Sequence, residues 1–170
     1  MKTLILILSL SLSSAAIFAQ NDSTSGKPVK SNEFGVHLGA TTGMGFSYRH
    51  WVDNFGFQIT ELPIKDSYET FNSLGVSVLV SIMENDHLRV FAYWGNHFTH
   101  SKYTYDEYDI TGTYSHSKTE ITNKWHTGFG PGFEFGTKVR FNLMAGYGFY
   151  DILGELQMQP TGEIGIYYNF

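Results

Sequence analysis

No cysteine occurs in the 170 residues, so disulfides, thiolate chemistry and a lipid-anchored cysteine are all excluded. Charge is also scarce: charged residues make up 16%, and the 11 Lys and Arg are outnumbered by 16 Asp and Glu. A chain this poor in cations lacks the surface that binding a nucleic-acid backbone requires, so nucleic acid is excluded as a partner. The 4 prolines leave long stretches free to form strands, and the 18 glycines and many aromatics suit strands joined by tight turns. The most sustained apolar run, Leu4 to Leu12, falls far short of the about 20 residues a membrane-spanning helix needs. No segment carries a convincing helical stripe, and nothing in the composition calls for a cofactor. Stability is therefore expected to come from a sheet.

The N-terminus has the layout of a secretory signal peptide: a positive charge at Lys2, the apolar run, then a small and apolar stretch from Ser13 to Ala19 with a plausible cut after Ala19. Residues 1–19 are expected to be removed, which takes away Lys2 and makes the formal charge of −5 one unit more acidic. Gln20 to Asn32 is polar and carries Gly, Pro and Ser, the composition of a flexible periplasmic leader. The remainder, residues 33–170, fits one domain.

From Glu33 onward, period-two alternation recurs eight times between turn signals. The predicted strands are Phe34–Thr41, Met44–Val52, Phe55–Leu62, Ser73–Met83, His87–His97, Trp125–Phe135, Val139–Tyr150 and Gly162–Phe170. In each, one face is apolar. Alternation alone leaves open whether that face looks inward, as in a soluble lipocalin-like barrel, or outward to lipid. The second face carries Gly35, Gly45, Gly56, Gly75, Gly95, Gly128, Gly130, Gly132, Gly146 and Gly165 beside His37, Arg49, Gln58, Arg89, Glu134, Arg140 and Glu163. That mixture makes a poor water-exposed exterior, where Thr and Lys are favoured, and suits the crowded polar lumen of a small barrel, where Gly makes room for long side chains. Loop lengths agree. Asp53-Asn54, Glu84-Asn85-Asp86 and Gly136-Thr137-Lys138 give short turns on one side, whereas Thr42-Gly43, Pro63–Asn72, Phe98–Asn123 and Asp151–Pro160 fall on the other.

The last ten residues alternate through Ile164, Ile166, Tyr168 and Phe170, ending in GIYYNF. A chain that ends this way resembles the bacterial outer-membrane β-barrels, and eight strands with asymmetric loops resemble the OmpX/OmpA-type and opacity-like small barrels, including barrel proteins of Bacteroidota. The resemblance covers about residues 33 to 170. It implies an eight-stranded antiparallel up-and-down transmembrane barrel in the outer membrane of a Gram-negative cell, with membrane lipids around it. It also implies that Ile164, Ile166, Tyr168 and Phe170 form the signal read by the barrel-assembly machinery. It names no ligand or reaction.

Turn parity places the lumen charges. Three-residue turns would set Ser81 opposite Arg89 and Glu134 directly opposite Arg140, gathering Arg49, Arg89, Glu134 and Arg140 near the short-turn end as a structural polar network. Outside the barrel, Tyr103, Tyr105, Tyr108 and Tyr114 lie among Ser, Thr, Asp and Lys around a Thr111-Gly112 tip. This is either a recognition loop for an extracellular ligand the sequence does not identify, or a solvated extension of the fifth and sixth strands. A lipid A-modifying enzyme would need a Ser–His pair; His100-Ser101 and Ser115-His116-Ser117 supply the residue types, but adjacent strand positions point to opposite faces. A metal site from His97, His100 and His116 would require the two loop arms to pair. The reading favoured is a barrel without catalytic, cofactor or metal residues, acting structurally or through its surface loops.

Overall fold

The computed structural model describes residues 30–66, 68–108 and 114–170. They form eight antiparallel strands: β1 (Lys30–Gly39), β2 (Gly43–Val52), β3 (Phe55–Lys65), β4 (Glu69–Glu84), β5 (Leu88–Tyr108), β6 (Tyr114–Gly136), β7 (Val139–Tyr150) and β8 (Gln157–Asn169). Each pairs with the next and β8 closes onto β1, so the sheet is a closed up-and-down barrel. Closure leaves no sheet edge along the wall, which is the condition for strands to cross hydrocarbon. The signal-peptide segment and residues 20–29 of the leader lie outside the described residues; Lys30 to Asn32, expected in the leader, instead pair with Val52 to His50 as the start of β1.

The wall is inside-out relative to a soluble protein. Glu33, Arg49 and Gln58 have no exposed surface, while Phe34, Val36 and Leu38 keep half or more of theirs. The same split runs around the ring, with Phe57, Leu74, Val76, Phe129, Phe133, Phe141, Leu143, Ile164 and Ile166 outside. Buried charge inside and exposed apolar surface outside would be unstable in water and is stable in lipid.

Strand lengths depart from the alternation. β5 has 21 residues and β6 has 23, paired from Leu88↔Phe135 to Tyr108↔Tyr114, so most of the expected Phe98–Asn123 loop is a two-stranded ribbon. β4 extends beside it, with Glu69 paired to Tyr103. The expected Pro63–Asn72 and Asp151–Pro160 loops likewise shrink, because β3 runs to Lys65 and β8 starts at Gln157. The β1–β2 hairpin is the opposite case. It stops at Gly39↔Gly43, so above it β3 has no β2 partner beyond Phe46↔Glu61 and β8 none from β1 beyond Leu38↔Ile164. Both free stretches carry a proline, Pro63 and Pro160, which lacks the N–H donor needed to add a strand.

Candidate functional site: an occluded lumen

At the short-turn end, three carboxylates and three guanidiniums share the lumen. Glu134 accepts from Arg49 Nη1 at 2.6 Å, Arg89 Nη1 at 2.9 Å and Arg140 Nη1 at 2.9 Å. Glu33 accepts from Arg89 at 3.0 Å and Glu84 from Arg89 Nη2 at 2.6 Å, while Arg49 Nε donates to Gln58 at 2.7 Å. The formal charges cancel, and the guanidinium planes lie on aromatic faces: Arg49 over Tyr167 at 3.8 Å and Arg89 over Trp51 at 4.1 Å. Such stacking satisfies the faces of the cations where no water reaches them.

The expected quartet of Arg49, Arg89, Glu134 and Arg140 is thus brought together, but not by the expected pairings. A bulge between Ser81 and Met83 shifts the β4 register, so Ser81 faces Phe91 rather than Arg89. The extra residue sends both Ile82 and Met83 outward and turns Glu84 into the lumen, directly opposite Arg89. Arg140 is paired with Gly136, and Glu134 with Asn142. Arg140 still reaches Glu134 diagonally, because the position opposite it has no side chain. Glu33 and Glu84 were missed; Glu33 had a signal, since it shares a strand face with Gly35 and His37.

Packed against this layer, Trp51, Leu79, Phe91 and Met144, with Tyr93, form an apolar septum, with Trp51 edge-on to Phe91 at 5.9 Å. Two of the glycines make the room the sequence suggested: a Cβ at Gly132 would strike the Phe91 ring and one at Gly56 the Trp51 ring.

The third layer corrects an expectation. Thr42-Gly43 was assigned to the loops on the open side, yet Thr41, Thr42 and Gly43 are buried within the barrel. Gly43 takes φ 89°, a left-handed conformation that turns the chain inward. Gly75, Gly95, Gly128 and Gly148, from four successive strands, form the bed: a Cβ at any of them would clash with Thr41 or Thr42, closer than ordinary contact allows. The turn is tied down on two sides. Glu163 accepts from the Thr41 amide at 3.2 Å and from the hydroxyls of Thr41 and Thr42, and His37 Nε2 lies 2.6 Å from the Thr42 hydroxyl. Opposite, Met44 N donates to Ser73 Oγ at 3.1 Å, Ser73 lies 2.8 Å from His97 Nε2, and His97 Nδ1 lies 2.8 Å from the Ala40 carbonyl. A carbonyl can only accept, so Nδ1 carries the proton and Nε2 accepts from Ser73. The chain Met44–Ser73–His97–Ala40 therefore grips both ends of the turn.

The remaining candidates are dispersed. His97 is in the lumen, whereas His100 is on the outer face with Nδ1 2.6 Å from Asn123, and His116 lies far along β6 opposite Glu107. The three do not converge, and among the described residues no cluster of metal-ligand type occurs. His100 and Ser101 lie on opposite faces, as expected. Tyr103 and Tyr105 stack at 5.9 Å on the ribbon, and Tyr105 donates to Glu120 at 3.1 Å. Tyr108 and Tyr114 pair through their strands, and Thr111-Gly112 lies outside the described residues. Ile164, Ile166 and Tyr168 face outward; Phe170 N donates to the Asn32 carbonyl at 3.0 Å, pinning the chain end to β1.

A closed eight-stranded ring with a charged interior, an apolar outer belt and short turns on one side defines the class: an eight-stranded transmembrane β-barrel of the kind found in bacterial outer membranes, with its belt in lipid. No protein-family model and no curated sequence relative matches the chain. Among solved structures it is similar to the N-terminal β-barrel domain of OprF from Pseudomonas aeruginosa, at 13% identity and a TM-score of 0.49 over 85% of this chain and 100% of that one. It is also similar to Ail, the attachment invasion locus protein of Yersinia pestis, at 15% identity, TM-score 0.43, over 84% and 97%. Neisserial surface protein A aligns at 12% identity, TM-score 0.39, over 82% and 92%.

Proposed function

We propose that the chain is a non-conducting, non-catalytic outer-membrane barrel that presents the β4–β6 ribbon outside the cell as an interaction surface. The observation that carries this reading is the contrast between a lumen filled at three levels and a ribbon built far beyond the wall. A strand crosses the membrane in about 9–11 residues, so β5, with 21, has about ten to spare. At about 3.3 Å each these project roughly 30 Å along the strand. Tyr103 stands exposed on that projection with the half-buried Tyr105 stacked beside it and Lys118 and Glu120 nearby, a rigid amphipathic pair among charges. With the short turns periplasmic and the ribbon outside, the topology follows the usual asymmetry of such barrels. Ile164, Ile166, Tyr168 and Phe170 would serve the assembly machinery. Ser73 and His97 support a structural role rather than hydrolysis, because both are buried and their hydrogen bonds are committed to the β1–β2 turn.

The test pairs two measurements. In planar bilayers the refolded protein should show no steady channel activity; sustained conductance would overturn the non-conducting reading. Cells displaying the parent and a Tyr103→Ser/Tyr105→Ser variant should differ in adherence to host-matrix and bacterial surfaces; equal adherence at equal surface display would overturn the ribbon's role.

A further inference from the structure

We propose that the outer wall holds one phospholipid of the periplasmic leaflet at a fixed site across the β1–β8 closure, with an acyl chain in an aliphatic valley. This rests on the topology proposed above, which makes the short-turn end periplasmic. The valley is a cleft of about 400 Å³ lined by Val36, Leu38, Phe141, Leu143, Ile164 and Ile166. Its lining is apolar but for Asn142, which is buried toward the lumen, and its shape follows from the sequence. β1 and β8 bring only branched aliphatics to the outer face there. On one side Phe135 and Phe141 stack at 5.5 Å, and on the other Phe34 and Phe46 stack at 6.3 Å. Val36 is paired with Phe46 and with Ile166, so the aliphatic floor lies directly between the two aromatic ridges.

Two features select the occupant. The valley is near the short-turn end: Phe141 is the third residue of β7, and Ile166 is three residues before the end of β8. Its depth is that of the inner, phospholipid leaflet rather than of the lipopolysaccharide leaflet. At the adjoining rim Lys138 and Lys30 are exposed, and the Lys138 carbonyl binds the Asn169 amide beside the mouth of the valley. A cation at the interface complements a lipid phosphate, and a smooth apolar trough between rings complements a flexible chain. The closure is also where a bound chain has most to stabilise, since β1 and β8 share six residue pairs against ten for β1 and β2.

The experiment uses the full mature barrel refolded in nanodiscs containing phosphatidylethanolamine, phosphatidylglycerol and lipopolysaccharide, released into detergent for native mass spectrometry. The parent should retain one phospholipid. Val36→Trp, which fills the valley with another lipid-compatible side chain, should reduce retention by about tenfold, the change expected when a couple of methylenes lose their contacts. Val78→Trp on the far wall should leave retention unchanged, and Lys138→Gln should weaken the preference for phosphatidylglycerol. The gel shift of the unboiled barrel confirms that each variant folds. Equal retention by parent and Val36→Trp overturns the site. A dimer lost in Val36→Trp, without retained lipid, assigns the valley to a second copy and overturns it too. Preference for lipopolysaccharide over phospholipid overturns the leaflet assignment; surface labelling of the ribbon then shows separately whether the topology has failed.

Discussion

Removing the Glu134 carboxylate should be among the most damaging single changes available in this chain. Glu134 has almost no exposed surface and is the common acceptor of three guanidiniums. In Glu134→Ala, Arg49 keeps Gln58 and a 4.0 Å approach to Glu33, Arg89 keeps Glu33 and Glu84, and Arg140 keeps its Nε bond to the Thr137 carbonyl at 3.2 Å and carboxylate contacts of 3.8 and 3.9 Å. The lumen is left with one uncompensated positive charge. Breaking a buried pair by deleting one partner costs about 3–5 kcal/mol, because the surviving charge stays desolvated. Tyr167 and Trp51 under the guanidiniums soften this without supplying a countercharge. Urea titration in phospholipid vesicles, followed by Trp fluorescence, gives the stability of parent, Glu134→Ala, Arg49→Met and the double variant. The double change restores neutrality, so it should recover part of the loss, with a coupling of about 1–3 kcal/mol. A cost for Glu134→Ala below about 1 kcal/mol, the value of a solvent-exposed pair, would refute the view that these charges are mutually compensating in a dry lumen. Strict additivity of the two single changes would do so as well.

Val78→Arg, near the middle of β4 on the outer face, should cost roughly 2–4 kcal/mol in bilayers, since it sets a charge in hydrocarbon; unchanged stability in the same urea titration would contradict the outward assignment. Gly75→Ala should cost about 1–3 kcal/mol by overpacking, because its Cβ would fall on the Thr42 backbone, whereas Gly162→Ala, whose Cβ would meet nothing, should be close to neutral by the same measurement. An epitope inserted between residues 108 and 114 should be labelled on intact cells, and one in the Asn85–His87 turn only after the outer membrane is opened. Phe170→Asp should lower the amount of assembled barrel on unboiled gels, and undiminished assembly would remove the chain end as a signal.

Within the belt the fold was legible because every strand there has one face in lipid. That imposes period-two alternation, and the eight strands, their order and the lumen identity of Arg49, Arg89, Glu134 and Arg140 follow from it. Beyond the belt neither face of the β5–β6 ribbon meets lipid, so Thr104, Asp106, Ser117 and Thr119 can all be polar and the alternation vanishes while the hydrogen-bonded ladder continues. Length was therefore illegible where pattern was. The charge partners failed for a different reason. One extra residue at Ile82 reverses the facing of everything after it, and a bulge leaves no mark where two apolar residues, Ile82 and Met83, simply follow one another after Ser81. The inward β1–β2 turn does leave a signal in Gly75, Gly95 and Gly128, but alternation implies only space for long side chains there, and the space is filled by backbone and two threonines.

The two polar layers are built on different chemistry, and the septum between them explains how both can exist in one narrow lumen. The lower layer holds permanent charges of both signs that neutralise one another. Glu163 in the upper layer has no guanidinium within salt-bridge distance among the described residues; its neighbours there are hydroxyls, an amide and His37. Were the layers in contact, Arg49 would be drawn toward Glu163 and the balance of the lower layer would be lost. Trp51, Leu79, Phe91 and Met144 separate them on one side of the lumen. On the other, along β2 and β3, the hydrogen-bonded chain from Arg49 through Gln58 and Thr60 to Ser47 and Tyr167 is polar but adds no further charge. The charges are therefore kept apart by neutral side chains, and the apolar share of these comes from large residues on lumen faces of β2, β4, β5 and β7 that otherwise carry mainly polar or glycine positions.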